Sequence, residues 1–555
     1  MGQNDVGKNC VVTRRDFLKS SAIAALSLST GLQATETLAD DKPARGGSLI
    51  WGVETEPTTL NPHLNGQAKA KLILRNAYEC LLARSPDGGY VPWLAKDYAV
   101  SEDGRTYTFN LRDDVIFSDG EKFDAEAVVT NFLKLKEPIY SGSISAGHVS
   151  HISEATALDA HTVVLKLNDV YAPFLDGATS IEIISPKSFS SSQLKAGGRE
   201  IAGTGPFILD RYIKGQDIRF IRNAAYNWAP ANAGHQGPAY LDEVVCRFLP
   251  ESAVRTGALT SGQVHVIEGI SGNDAALFRD DPDFTYQSAL NTGTPYTLYL
   301  NVTSAPTSEV TVRKAFLAAI DVERIIQSVY RGERKRAWGV LTPADTDFYD
   351  KSIEGSYGFD TDLANRLLDE AGWTSRDGDG IRTKDGKRLT IEIVQSQATL
   401  RDQRDVLLEA VQAQARQNAG IDVALRYVDA GTYANRQNDG QYGIIPNSTT
   451  TQENGLTLYF HYLPREKGGS INYSRTVAPE ISAWLAEAAS TLDVKKRFEI
   501  YSALQRFALR EQALGLPLYV PEDQIAATAA VKGVGFRPFK RLPENAYDIW
   551  LEQPA

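Results

Sequence analysis

Pro92-Trp93-Leu94-Ala95, Asp103-Gly104-Arg105-Thr106-Tyr107-Thr108-Phe109, Leu111-Arg112-Asp113 and Phe117-Ser118-Asp119-Gly120-Glu121-Lys122-Phe123-Asp124-Ala125-Glu126-Ala127-Val128 form one dense block of sequence. Within it Thr106–Leu111 alternates apolar and polar residues, the period of a half-buried strand. Thr162–Leu167 repeats the pattern, with Val163, Leu165 and Leu167 on one face. Between the two, Asp124 has the position of an N-cap for a helix through Val128, Phe132 and Leu135. Strands and helices interleaved this irregularly favour α/β or α+β lobes over a barrel.

Moving outward, Ser48–Val53 reads as a first strand, and 69–82 as a helix with Leu72, Ile73, Ala77 and Leu81 on its apolar face. Gly203-Thr204-Gly205-Pro206-Phe207 restarts strand-like sequence. Val244–Phe248 is a strand, Ser252–Ser261 a helix, and Tyr296–Asn301 a short strand. An amphipathic helix is expected over 310–330, others over 363–371 and 400–419 (each followed by a Gly stop), and the last two over 479–490 and 494–514. No internal repeat or low-complexity tract interrupts the pattern.

The 555 residues are too many for one core and imply roughly three or four domain-sized pieces. A net charge of −11 argues against a general nucleic-acid binder, which needs a basic face to displace counterions. Three cysteines are too few for a disulfide scaffold, and no uncharged apolar run approaches the ~20 residues of a membrane helix. At the N-terminus Thr13-Arg14-Arg15-Asp16-Phe17-Leu18-Lys19 precedes a Ser/Ala-rich apolar stretch and a small-residue exit at Thr37-Leu38-Ala39, the order of a secretory signal. The run resembles a twin-arginine export signal, which implies a folded, extracytoplasmic product. Residues 1–39 carry four basic and three acidic side chains, so cleavage after Ala39 leaves 516 residues and moves the charge to −12.

Catalytic motifs are sparse. The sequence has no Walker loop, no Gly-x-Ser-x-Gly elbow and no cysteine pair at metal spacing. His148 and His151 sit three residues apart, able to share a metal if helical, with a solvated loop as the alternative. Asp377-Gly378-Asp379-Gly380 opens like a calcium loop, but Arg388 occupies the position that needs a bidentate Glu, which leaves a polar hairpin turn. Arg334-Lys335-Arg336, beside Trp338, is either a solvated face or the lining of an anion-binding cleft. Cys80 and Cys246 are open to pairing or to packing as small buried hydrophobes.

The block from Trp93 to Val128 resembles the bacterial extracellular solute-binding proteins of family 5, which serve ABC importers for peptides, nickel complexes and related solutes. Gly46–Leu49, Thr59–His63, Gly203–Phe207, Leu300-Asn301, Val312–Phe316, Asp362–Trp373 and Pro517–Tyr519 extend the likeness over nearly all of the chain beyond the leader. The resemblance implies an α/β, type II periplasmic-binding-protein fold with two lobes around a ligand cleft and an extra domain. Lobe I would comprise 46–62, 196–292 and 516–555, domain II 63–195, and lobe III 293–515. It also implies a non-enzymatic, cofactor-free periplasmic monomer that binds a peptide or small polar solute and meets permease subunits. A metal-chelate binder is the alternative within the family, and a periplasmic hydrolase or chaperone the alternatives outside it.

Carried over by position, the ligand contacts would be Glu54, Glu56, Pro57, Tyr296, Tyr299, Trp338, Tyr442, Asn447, Thr449, Thr450, Gln452 and Glu453. Peptide-binding members have a Gly-Trp-x-x-Asp pattern in the loop 442–454, whose aspartate meets the peptide's ammonium group. Here Thr449 replaces the tryptophan and Gln452 the aspartate. A buried ammonium without an anionic partner costs several kcal/mol, so Glu453, Glu54 or Glu56 must supply the charge, or the ligand is neutral, polyhydroxylated or chelate-like. Nickel-type members use a histidine, and His461 lies a few residues past the loop.

Overall fold

The computed structural model describes residues 43–552 apart from 86–88, 142, 451–453, 468 and 537–544. The leader, Gln452 and Glu453 therefore lie outside the described residues. Ser48–Val53 is the centre of a seven-stranded sheet, with Glu243–Phe248 and Val266–Glu268 parallel to it on either side. Leu49, Trp51 and Val53 share one face of the strand and are buried, whereas Ser48 and Ile50 on the other face are half-buried. Each of the three buried residues contributes about 1.5–3 kcal/mol by leaving water. Antiparallel strands complete the sheet: Asp217–Arg222 and Phe207–Ile213 on one flank, Glu522–Thr528 and Phe284–Leu290 on the other.

The opening block folds as its pattern predicts. Thr106–Leu111 pairs antiparallel with Thr162–Leu167, placing Tyr107 opposite Leu165 and Phe109 opposite Val163. Ala95–Val100 and Ile152–Asp159 complete a four-stranded sheet. Asp124 caps the helix Ala125–Lys134 by accepting from the Ala127 N–H at 2.9 Å. The apolar faces of this sheet and helix share one continuous core with the seven-stranded sheet.

The helix expected over 69–82 is shorter, ending at Leu74. The reason is tertiary: the carbonyls of Asn76 and Ala77, which a longer helix would use, accept instead from Phe207 and Gly205 N–H at 2.9 and 3.0 Å. That approach requires the glycines of Gly203-Thr204-Gly205, since a Cβ on Gly203 would stand 2.1 Å from the Ala77 carbonyl oxygen.

A six-stranded sheet forms the other half, in the order Lys335–Arg336, Gly515–Val520, Tyr296–Leu300, Ile444–Asn447, Thr390–Ser396, Asp422–Val428. The helix expected over 310–330 is two, Val310–Ala319 and Val322–Tyr330, because Asp321 turns outward to cap the second by accepting from Arg324 N–H. The last helix similarly stops at Arg506 and gives way to a π turn, Phe507–Glu511. Asp377–Gly380 closes a hairpin between Ser375–Arg376 and Arg382–Lys384. Cys80 and Cys246 are both buried, the first against Ala83 and Trp93, the second in the seven-stranded sheet's core.

One buried carboxylate ties the four-stranded region to the larger sheet. Glu79 accepts from Trp93 Nε1 (3.1 Å) and the Tyr226 hydroxyl (2.6 Å) on one oxygen, and from Trp228 Nε1 (3.0 Å) and the Thr204 hydroxyl (2.8 Å) on the other. Burial pushes this carboxyl up to about 8 against the pull of those four donors. An amide at this position must turn its NH₂ toward one indole N–H, which has no acceptor to offer. Glu79→Gln is therefore expected to lower unfolding free energy by roughly 2–4 kcal/mol in urea titrations; an unchanged midpoint would refute this role.

Candidate functional site

A cavity of about 1340 Å³ opens where the two large sheets and the four-stranded region meet. The chain passes between the large sheets twice, through 291–295 and at Pro521, and the two passages are hydrogen-bonded: Asn291 N–H donates to the Pro521 carbonyl at 2.9 Å. Gly293 in the first passage has φ +92°, and a Cβ there would stand 2.3 Å from the Thr449 carbonyl oxygen. Its neighbour Thr294 exchanges two bonds with Thr449: Thr294 N–H to the Thr449 carbonyl, and Thr449 N–H to the Thr294 hydroxyl, both 2.8 Å.

On the seven-stranded side, Glu54 ends the central strand and reaches Lys69 Nζ at 2.5 Å. Lys69 also approaches Asp523 at 3.7 Å, while Arg255 lies 3.5 Å from Glu54. The Glu54 N–H donates to Glu268 at 3.3 Å. Burial raises the Glu54 carboxyl, but Lys69, Arg401 and Arg255 outweigh it and hold it well below the ordinary value. Glu268 has the opposite fate: burial, together with the charges of Glu54 and Asp523, pushes it up to about 7 against Lys69. The cluster thus keeps Glu54 as its anion and leaves Glu268 largely protonated below neutrality.

The six-stranded side supplies arginines. Arg401, half exposed, stands 3.8 Å from Glu54 across the cleft, a distance and exposure worth at most about 1 kcal/mol. Arg404 is buried on the ring of Tyr296, 4.2 Å away, and bonds the Tyr519 hydroxyl at 3.0 Å and Ser448 Oγ at 3.3 Å. Arg334 lies between Asp402 (3.6 Å) and Glu522 (3.5 Å). Asp402 and Gln403 both have positive φ, 53° and 54°, a conformation that costs side-chain-bearing residues on the order of 1–3 kcal/mol each. It places Asp402 among three arginines that, against burial, hold its carboxyl low.

Of the residues expected to contact ligand, Glu54, Asn447, Thr449 and Thr450 line the cavity. Thr449 donates its hydroxyl proton to Asn447 Oδ1 at 3.1 Å and so accepts from His461 Nε2 at 2.9 Å. Burial lowers the His461 pKa to about 3, which keeps the ring neutral. The remaining expected residues among those described do not line the cavity and are engaged elsewhere. Glu56 accepts from the Tyr212 hydroxyl and Gly215 N–H, and Pro57 is buried next to it. Tyr296 underlies Arg404, Tyr299 stacks on His461 at 5.0 Å, and Tyr442 donates to the Tyr473 carbonyl. Trp338 is covered by the Arg336 guanidinium at 4.3 Å, whereas Arg334, two residues earlier, does face the cavity.

His148 and His151 also line the cavity, on and just beyond the helix Ile144–Val149. Among the described residues no three His, Cys, Asp or Glu side chains group to hold a metal. Lys69, Arg401, Asp402, Arg404, Glu522 and Asp523 escaped sequence reasoning. Two signals mark the last five: the charged run Arg401-Asp402-Gln403-Arg404 at a helix start, and Glu522-Asp523-Gln524, a polar run that opens the strand Glu522–Thr528.

Lys69→Met leaves Glu54, Glu268 and Asp523 without their ammonium. We expect a loss of about 3–5 kcal/mol, larger at pH 8 than at pH 5. The sign follows from Glu268: Lys69 pulls its raised pKa down to about 7, so the variant raises it further; at pH 5 the carboxyl is protonated with or without Lys69, whereas at pH 8 the variant alone lacks the cation that offsets its ionisation. Urea unfolding at the two pH values measures the difference; equal losses would refute the electrostatic account.

The model of the bacterial extracellular solute-binding proteins, family 5 Middle, matches residues 89–468. The nickel-binding periplasmic protein of Escherichia coli K12 is 28% identical over 504 residues, covering 88% of this chain and 92% of its own. The dipeptide-binding protein of the same organism is 26% identical over 536 residues, covering 90% and 94%. The crystal structure of NikA from Brucella suis in complex with Fe(III)-EDTA superposes with a TM-score of 0.75 at 27% identity, covering 89% of this chain and 99% of that one. The α/β, multi-domain architecture of type II periplasmic binding proteins is thereby the fold of this protein. A match over more than half its length, joined to a cavity between two large sheets, makes the chain a member of the family 5 bacterial extracellular solute-binding proteins.

Proposed function

We propose that the protein is the extracytoplasmic receptor of an ABC importer, capturing a small polar, peptide-like solute by lobe closure and delivering it to permease subunits. The observation that carries this reading is the cavity at the double crossing, whose hinge-side wall offers charges of both signs: Lys69 with Glu54, and Arg401 with Asp402. A zwitterionic solute suits such a wall, and the likeness to a nickel-binding and a dipeptide-binding protein supports a small polar solute of that kind. Ligand bound between two lobes shifts the population toward the closed form that a membrane partner reads. In this reading 46–62 and 196–292 belong to lobe I, 63–195 to domain II, and the following chain to lobe III. The pairing of Gly515–Val520 within the six-stranded sheet favours Pro521 as the return to lobe I.

Glu54, Asn447, Thr449 and Thr450 are the expected residues best placed to touch the solute; Tyr296, Tyr299 and Tyr442 support that surface from behind. Gln452 and Glu453 stay in the proposal on sequence grounds. A metal chelate is the second reading, favoured by the likeness to the nickel-binding protein and by two neutral imidazoles, His148 and His151, on the cavity wall. Export by the twin-arginine route, with cleavage after Ala39, completes the proposal.

Two experiments test it. Mature protein, unfolded to release bound solute and refolded, is offered a pool of amino acids, di- to pentapeptides and nickel–histidine chelate, and the retained masses are read by native mass spectrometry. Retention of a pool member, weakened about tenfold in Arg401→Ala, is the expected result; retention of nothing would defeat the reading. In the host, Arg14→Lys with Arg15→Lys should leave unprocessed precursor in the cytoplasm on fractionation. Normal export of that double variant would exclude the twin-arginine route.

A further inference from the structure

The cavity is larger than a charged head group at the hinge needs. Its roughly 1340 Å³ exceeds the ~300–1,000 Å³ of pockets that enclose drug-sized ligands. The surplus is bounded by a wall belonging to neither large sheet: the end of the helix Ala125–Lys134, the short helix Ile144–Val149, and Tyr171.

The charged groups of this wall already have partners. Lys136 Nζ donates to the Ile152 carbonyl, and Glu137 accepts from Lys134 at 2.7 Å. His148 is buried, and desolvation keeps its ring neutral, with a pKa lowered to about 4. His151 lies flat on Tyr171, ring centroids 3.8 Å apart and planes within 13°. Ser143 and Ser150 are engaged by the Ala146 N–H and the Gly147 carbonyl. Beside Ser141, what remains for a ligand is apolar and aromatic: the Ile144 side chain, which lines the cavity and is 42% exposed, and the His151–Tyr171 pair. From lobe III, Tyr459 and Phe460 line the same cavity and are only partly buried. An isoleucine and these aromatic rings, facing the cavity, gain most from an apolar group that displaces water from them.

We propose that this wall is a distal subsite for an apolar or aromatic portion of the solute, so that the ligand is a two-part molecule: a charged head held at the hinge, and a bulky apolar group carried some distance along, as in a peptide of three or more residues with an aromatic or branched aliphatic side chain. The inference rests on the solute-binding reading above and narrows its substrate class. It also gives domain II a direct part in selection. Nothing in the hinge cluster of Glu54, Lys69 and Arg401 requires that part.

The test offers the stripped, refolded mature protein nickel–histidine chelate and, separately, two matched pools of zwitterionic di- to pentapeptides, one carrying Phe at each position in turn and the other Ser. Native mass spectrometry reads the ratio of retained Phe to Ser peptides. The wild type should favour Phe peptides of three or more residues by at least about tenfold, the gain expected from burying one large apolar side chain. Ile144→Asp should collapse that ratio, and Ile144→Leu should preserve it. Both variants change an exposed helix position, and circular dichroism confirms their fold. Retention of peptides without preference for Phe, or an unchanged ratio in Ile144→Asp, would overturn the subsite while leaving solute capture standing. Retention of nickel–histidine chelate and no peptide would overturn it too, in favour of the chelate reading. Retention of nothing from either pool or the chelate would defeat solute capture itself, and the subsite with it.

Discussion

The hydrogen bond from Asn291 N–H to the Pro521 carbonyl joins the two passages by which the chain crosses between its large sheets. Whatever moves one sheet relative to the other must bend at these few residues. The first passage is anchored to the six-stranded half by Thr294, which exchanges backbone and side-chain bonds with Thr449. The second leads straight into Glu522 and Asp523. Polar groups of the site therefore sit beside the crossing itself, with Asn291, Glu522 and Asp523 all lining the cavity. Gly293 is needed because the approach to Thr449 leaves no room for a Cβ.

Around that crossing the electrostatics are balanced rather than one-sided. Lys69, Arg255, Arg401, Arg404 and Arg334 face Glu54, Asp402, Asp523 and Glu522, and Glu268 takes up the remaining strain by holding its proton. A wall of single sign would repel itself in the empty cleft and bind any counterion. A wall of paired charges is stable when empty and discriminates by where a ligand's own charges fall. The backbone of Asp402 and Gln403 is kept in the left-handed region, an unfavourable conformation retained where it delivers a carboxylate to three guanidiniums.

Much of the scaffold was legible in the residues. Period-two alternation located Thr106–Leu111 and Thr162–Leu167, and Asp124 capped its helix as its position indicated. The errors came where tertiary bonds compete with local pattern. The helix from Ala68 ends early because the N–H groups of Gly205 and Phe207 take the carbonyls of Ala77 and Asn76, a competition invisible without knowing what packs beside it. The division of 310–330 into two helices was marked by Asp321, a cap residue inside an apolar run.

The site was legible as a set of segments rather than as side chains. The family resemblance pointed to the end of the first strand and to the loop after 442, and Glu54, Asn447, Thr449 and Thr450 do reach the cavity. Tyr296 and Tyr299 were sensible choices for an aromatic contact, yet both face inward, because a strand at the middle of a sheet is covered on both faces. By itself the sequence determined the order of many elements, through periodicity and caps, and the family with its α/β class, through the resemblance carried by the block from Trp93 to Val128. Only the tertiary structure decided which charges meet. Glu54, Lys69, Arg401 and Asp523 are hundreds of residues apart or lie on separate elements, and hydrophobic periodicity carries no information about the partner of a polar side chain.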